Sequence, residues 1–143
     1  MATTTTYTSD NDRAGGLQSP AGGYISATFD CALDNQGAGD IYQLLKIPAG
    51  MMVHDVGIIV LTVEDSAATL DVGDGNVADG WLDGVNAAVL GSSNTGAYNS
   101  LNDASEYKGG KYYSSADTID VKFVAACDTL KFIIYAHVSK PRV

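Results

Sequence analysis

The run IYQLLKIPAGMMVHDVGIIVLTVEDSAATLDVGDGNVADGWLDG, residues 41–84, decides the fold class. At its centre lies an uncharged stretch, residues 56–63, entered through Pro48-Ala49-Gly50 and left through acidic, glycine-rich turns. β-branched side chains suit a pleated strand, and eight residues suit its length. Gly57, with the flanking Pro48 and Gly50, opposes a helix. The stretch reads as β structure, and its later residues, which do not alternate, read as a strand that is central or covered on both faces.

Working outward, residues 24–33 alternate cleanly: Ile25, Ala27, Phe29, Cys31 and Leu33 share one face of a half-buried strand. A turn over 34–39 leads into a strand over 40–47, whose expected partner across the Pro-Ala-Gly turn is 51–63. Residues 68–72 make a short strand. Residues 79–84 read as a single helical turn capped by Asp79 and stopped by Gly84, with Trp81 plugging one end of the core. Residues 87–90 could form an edge strand. The polar stretch 91–106 is a long loop, a usual place for function, and residues 107–112 read as a tight hairpin around Gly109-Gly110. Two strong strands, 118–127 and 129–138, close the chain. About eight strands with no βαβ pattern predict an all-β protein, a β-sandwich of jelly-roll type. It comprises a polar, threonine-rich arm over residues 1–23 and a single domain over 24–143.

The 143 residues suffice for one core without disulfides or metal. Seventeen acidic residues against eight basic ones leave a net charge of −9, which disfavours nucleic acid and anionic membranes as partners. The first sixteen residues carry neither a basic start nor an apolar core, so a soluble protein made in a cytoplasm is expected, with Cys31 and Cys127 as free thiols.

The succession Leu45-Lys46-Ile47-Pro48-Ala49-Gly50, an apolar strand, Thr69-Leu70-Asp71-Val72-Gly73-Asp74 and Asp79-Gly80-Trp81-Leu82 resembles the head-decoration or cement proteins encoded beside capsid genes in tailed bacteriophages. The resemblance spans residues 40–84, with a weaker echo over 118–138. It implies a β-sandwich or jelly-roll on the outside of a phage head, usually a trimer, with the major capsid protein as partner, no enzymatic activity, no cofactor and a place in the virion.

Candidate contact residues for such a role lie in the arm, where Thr3, Thr5 and Tyr7 have β propensity suited to pairing with a neighbouring subunit, and around the long loop, at Tyr98, Asn99, Tyr107 and Tyr112. Clustered tyrosines, Tyr98, Tyr107, Tyr112 and Tyr113, also fit an alternative, a carbohydrate-binding module or fibre-tip adhesion domain. The acidic residues Asp71, Asp74, Asn76, Asp79 and Asp83 are the best metal candidates, since calcium prefers hard oxygen ligands in glycine-rich turns. The EF-hand spacing is absent, however, and Asp and Asn are common turn formers for conformational reasons. His54 and His137 lack the accompanying residues of a hydrolase or nucleotide site, and both cysteines fall on apolar strand faces, so no catalytic residue is assigned.

Overall fold

A computed structural model describes residues 4–6, 23–94, 107 and 109–141. Among them are ten strands and no helix: β1 (Thr4–Thr6), β2 (Gly23–Asp30), β3 (Ile41–Ile47), β4 (Met51–Thr62), β5 (Thr69–Gly73), β6 (Leu82–Asn86), β7 (Gly91–Asn94), β8 (Lys111–Tyr113), β9 (Asp117–Phe123) and β10 (Lys131–Ser139). They form two sheets. The first has the order β1-β3-β9-β5-β6; the second has the order β2-β10-β4-β7, with β8 also alongside β4. All pairings are antiparallel except that of β1, which runs parallel to β3 with Thr5 opposite Tyr42.

Alternation decides which side chains enter the core. On β10, Phe132, Ile134, Ala136 and Val138 point inward and are fully buried, while their neighbours are half-buried. On β2, Ile25, Ala27 and Phe29 do the same. β4 is central in its sheet, and its alternation lapses where Gly57 lies covered on the outer face. One edge pairs with β10 and the other with β7 and β8, and Val56, Gly57 and Ile58 are buried in succession. Gly57 is buried because the Tyr135 ring, on the paired strand, lies over it; a Cβ there would sit 2.3 Å from that ring. The two layers meet in an aromatic knot. Phe29 and Phe132 of the second sheet stack with centroids 5.7 Å apart, and Phe29 meets Tyr42 and Phe123 of the first sheet at 4.6 and 5.6 Å. Such rings carry much of a small core's buried area.

Several local expectations differ from the structure. The strand begun at residue 24 stops at Asp30, because the Asp30 carbonyl and carboxylate accept the amides of Leu33 and Ala32, turning the chain and leaving Leu33 exposed. β3 and β4 are not hairpin partners: they lie in different sheets, and Pro48-Ala49-Gly50, with Gly50 at φ 86°, carries the chain from one layer to the other. Residues 79–84 form no helical turn. The Trp81 amide donates to the Val72 carbonyl at 2.9 Å, and Asp83 and Gly84 bulge opposite Asp71, whose Oδ1 takes the Gly84 amide at 3.0 Å. Trp81 is nonetheless fully buried, as its type requires here. Residues 87–90 are a turn rather than a strand; the strand comes at Gly91–Asn94, inside the stretch read as loop. Gly109 and Gly110 do take positive φ, and the Gly110 amide closes a turn on the Tyr107 carbonyl. The flanks do not pair with each other, however: β8 joins β4, and the Tyr107 amide goes to Gly80.

Candidate functional site

The acidic turn after β5 is the best-defined polar site, and its geometry follows from Asp74. This carboxylate is buried, with its side chain wholly inaccessible, and both oxygens are spent on protein donors. Oδ1 accepts the amides of Asn76 (2.9 Å) and Val77 (3.0 Å) and the hydroxyl of Tyr107 (3.0 Å). Oδ2 accepts the Lys111 ammonium (2.6 Å) and the Tyr113 hydroxyl (2.8 Å). The Tyr113 oxygen in turn accepts the Trp81 Nε1–H at 3.1 Å. Burial alone would raise the Asp74 carboxyl, but the bonds from Lys111, Tyr113 and the two amides outweigh it and hold the group below the usual carboxylate range. The Lys111 ammonium also lies over the rings of Tyr107 and Tyr113, 4.2 and 4.6 Å from their centroids.

This constellation ties the β5–β6 turn of the first sheet to β8 of the second. A charge needs such partners to be tolerated in a core. The sequence singled out Asp74 and Tyr107 and placed Tyr113 among the clustered tyrosines, but nothing local marks Tyr113 or Lys111, nearly forty positions away, as partners of Asp74. Beside the cluster opens a polar recess of about 450 Å³ lined in part by Gly75, Asn76, Tyr112 and Asp117.

The expected calcium ligands are not gathered around one point. Lys111 holds the cation position beside Asp74, Asp71 Oδ1 is engaged with the Gly84 amide, and Asn76, Asp79 and Asp83 are exposed or nearly so. Of the expected contact residues, Thr3, Tyr7, Tyr98 and Asn99 lie outside the described residues. Thr5 sits in β1, paired with the chain's own β3. Tyr107 turns its hydroxyl inward to Asp74 and packs edge-on against Trp81 at 5.2 Å, while Tyr112 is 44% exposed. Tyr107 and Tyr113 therefore do not present a sugar-binding platform.

The histidines lie on the outer face of the second sheet. Tyr24 stacks on His137 at 4.6 Å, His137 lies 5.1 Å from His54, and His54 Nε2 is hydrogen-bonded to Ser139 Oγ at 2.7 Å. The cysteines are on the other side, buried and unbridged, with burial pushing the Cys127 thiol up to about 12 and the Cys31 thiol higher still. Such thiols do not supply a thiolate, and no histidine stands beside them to form a nucleophilic pair.

No protein-family model matches the chain, and no curated sequence does. Its fold is similar to that of chains in three phage capsid structures. A chain from the capsid of Ralstonia phage GP4 aligns over 99% of this chain and 100% of its own length, with a TM-score of 0.66 and 15% identity. One from the acid-stable capsid of Helicobacter pylori bacteriophage KHP30 covers 80% of this chain and 84% of that one, at a TM-score of 0.58 and 17% identity. One from the cyanophage Pam1 capsid asymmetric unit covers 83% of each, at 0.57 and 14%. At these identities the likeness is one of fold.

Proposed function

We propose that this chain is a structural protein of a bacteriophage virion, bound to the outer surface of the head, where it cements contacts between major capsid subunits as a trimer and catalyses no reaction. The observation that carries this reading is the fold likeness, which extends over the whole length of a chain in the Ralstonia phage GP4 capsid. Strand order adds support. Leaving β1 and β8 aside, the strands form β2-β10-β4-β7 facing β3-β9-β5-β6, and the chain crosses between layers at every connection except β5–β6, the arrangement of two interlocked Greek keys in a jelly-roll. The polar site is consistent with a binding protein too, because its charged groups are spent on holding the two sheets together and do not converge on a cavity.

Cementing by a trimer works through multivalency: three weak contacts made at once reach an avidity no single one supplies. The arm with Thr3, Thr5 and Tyr7, the loop with Tyr98 and Asn99, and the exposed ring of Tyr112 are the contacts we assign to the capsid. The net charge of −9 favours a partner face that is basic or salt-neutralised. The test is co-sedimentation with purified heads of the phage that encodes the chain, together with mass measurement in solution. Saturable, stoichiometric binding by a trimer is expected. A strict monomer that remains in the supernatant overturns the proposal.

A further inference from the structure

Three chain connections meet at one end of the sandwich: the β2–β3 turn with Gln36, the β4–β5 connection with Glu64 and Asp65, and the β9–β10 connection with Cys127 and Asp128. They line a recess of about 300 Å³ whose lining includes no Lys, Arg or His. One carboxylate oxygen from each of Glu64, Asp65 and Asp128 lies within 4.8 Å of the others. Glu64 is only 3% exposed, and its Oε2 accepts the amides of Asp128 (3.0 Å), Thr129 (3.2 Å) and Leu130 (3.1 Å). That arrangement fixes the carboxylate in place beside those of Asp65 and Asp128.

Gln36 supplies an independent observation. It is 4% exposed, yet its Oε1 is buried with no hydrogen-bond partner. The side chain cannot simply turn over, because Nε2 donates to the Asp34 carbonyl and the reversed amide would set two carbonyl oxygens against each other. The backbone is pinned as well, by paired bonds with Cys127 of 2.8 and 3.0 Å. A buried acceptor without a donor, in the lining of a recess that gathers three carboxylates, is costly in the absence of a positive charge.

We propose that this recess binds a calcium ion, with Glu64, Asp65 and Asp128 supplying carboxylate oxygens and Gln36 its amide oxygen. The donor set consists only of hard oxygens. Calcium holds oxygen at about 2.3–2.6 Å, so two of its ligands stand at most about 5.2 Å apart, a limit the three carboxylate oxygens, all within 4.8 Å of one another, satisfy. Water or backbone oxygen completes the shell. The ion staples the three connections together at the end of the sandwich away from the Asp74 cluster.

The test uses the full chain, stripped of metal with chelator and titrated with calcium chloride while binding heat and melting temperature are followed. One site per chain is expected, with the melting midpoint rising by roughly 5–10 °C at a hundredfold excess over Kd. Because Glu64→Gln removes a fold-stabilising acceptor, the decisive variants are Asp65→Asn and Asp128→Asn, both exposed. Each is expected to weaken calcium binding at least tenfold and to remove the shift, whereas Asp79→Asn in the acidic turn leaves both unchanged. The assignment is overturned if millimolar calcium gives no shift or magnesium gives an equal one. It also fails if the shift survives in both Asp65→Asn and Asp128→Asn, or if Asp79→Asn abolishes it.

Discussion

Removing a single oxygen by Tyr113→Phe is expected to destabilise the fold by about 3–5 kcal/mol. Tyr113 is 3% exposed and its hydroxyl does two things at once: it donates to Asp74 Oδ2 at 2.8 Å and accepts the Trp81 indole N–H at 3.1 Å. Losing a donor to a buried carboxylate costs about 1.5–3 kcal/mol, and stranding the indole N–H, on a fully buried ring, adds about 1–3 kcal/mol. The two overlap, because Phe keeps the ring and its packing but the neighbours relax, so the sum is an upper bound. Against a typical total of about 5–15 kcal/mol, the change takes a large share of the stability. Equilibrium urea unfolding followed by fluorescence of Trp81, the only tryptophan, measures it directly, as a lower midpoint with an unchanged slope. The double variant with Asp74→Asn is expected to lose less than the two single losses combined, by at least about 1 kcal/mol, because the residues share one bond. A loss below about 1 kcal/mol for Tyr113→Phe would show that the cluster does not hold the sheets together as described.

Two further outcomes are expected. Asp120 is buried, 7% exposed, and burial, with the nearby charges of Asp117 and Asp74 adding to it against one bond from Thr118, pushes its carboxyl from 3.8 up to about 7. A raised folded-state value means that its contribution is fully present below about pH 4 and is lost as pH rises through about 7, on the order of 4 kcal/mol at most. Asp74, held low, works in the opposite sense and only at acid pH, while Asp71 is also raised, so the share of the change in urea midpoint between pH 5 and pH 8 that belongs to Asp120 is the difference between the parent protein and Asp120→Asn. Asp120→Asn should reduce that change and be the more stable protein at pH 8; parallel profiles for the two proteins would refute the assignment. Gly57→Ala places a methyl 2.3 Å from the Tyr135 ring and should cost about 1–3 kcal/mol, with Gly57→Ala/Tyr135→Ala recovering part of it; a neutral Gly57→Ala would show that the ring does not lie over the glycine.

How much was legible in the sequence follows from how far each signal reaches along the chain. Period-two alternation is local, and it placed Ile25, Phe29, Phe132 and Ile134 in the core; where it lapses, in β4, the strand is central in its sheet, though its outer face is open at His54 and Leu61. Turn chemistry is local as well, so Pro48-Ala49-Gly50 and Gly109-Gly110 were found as turns. What each turn connects is not local. A turn between two strands does not say whether the chain returns within one sheet or crosses to the other, and Ile47 and Met51 are buried either way. The helical reading of residues 79–84 failed for a related reason: Asp and Gly at those spacings suit a cap and a stop, but pairing with β5 made them a bulge.

The sites divide along the same line. Sequence by itself determined that the chain is all-β, that its thiols lie inward and that acidic residues crowd the turn after β5, because residue type and spacing within ten positions settle such things. Only the tertiary structure decided that Asp74 spends itself on Lys111, Tyr107 and Tyr113, and that Gln36, Glu64, Asp65 and Asp128 share one recess. In a sandwich whose chain crosses between layers at most connections, residues that meet across an end or between sheets lie tens of positions apart, and no local pattern encodes which distant partner will answer a buried charge.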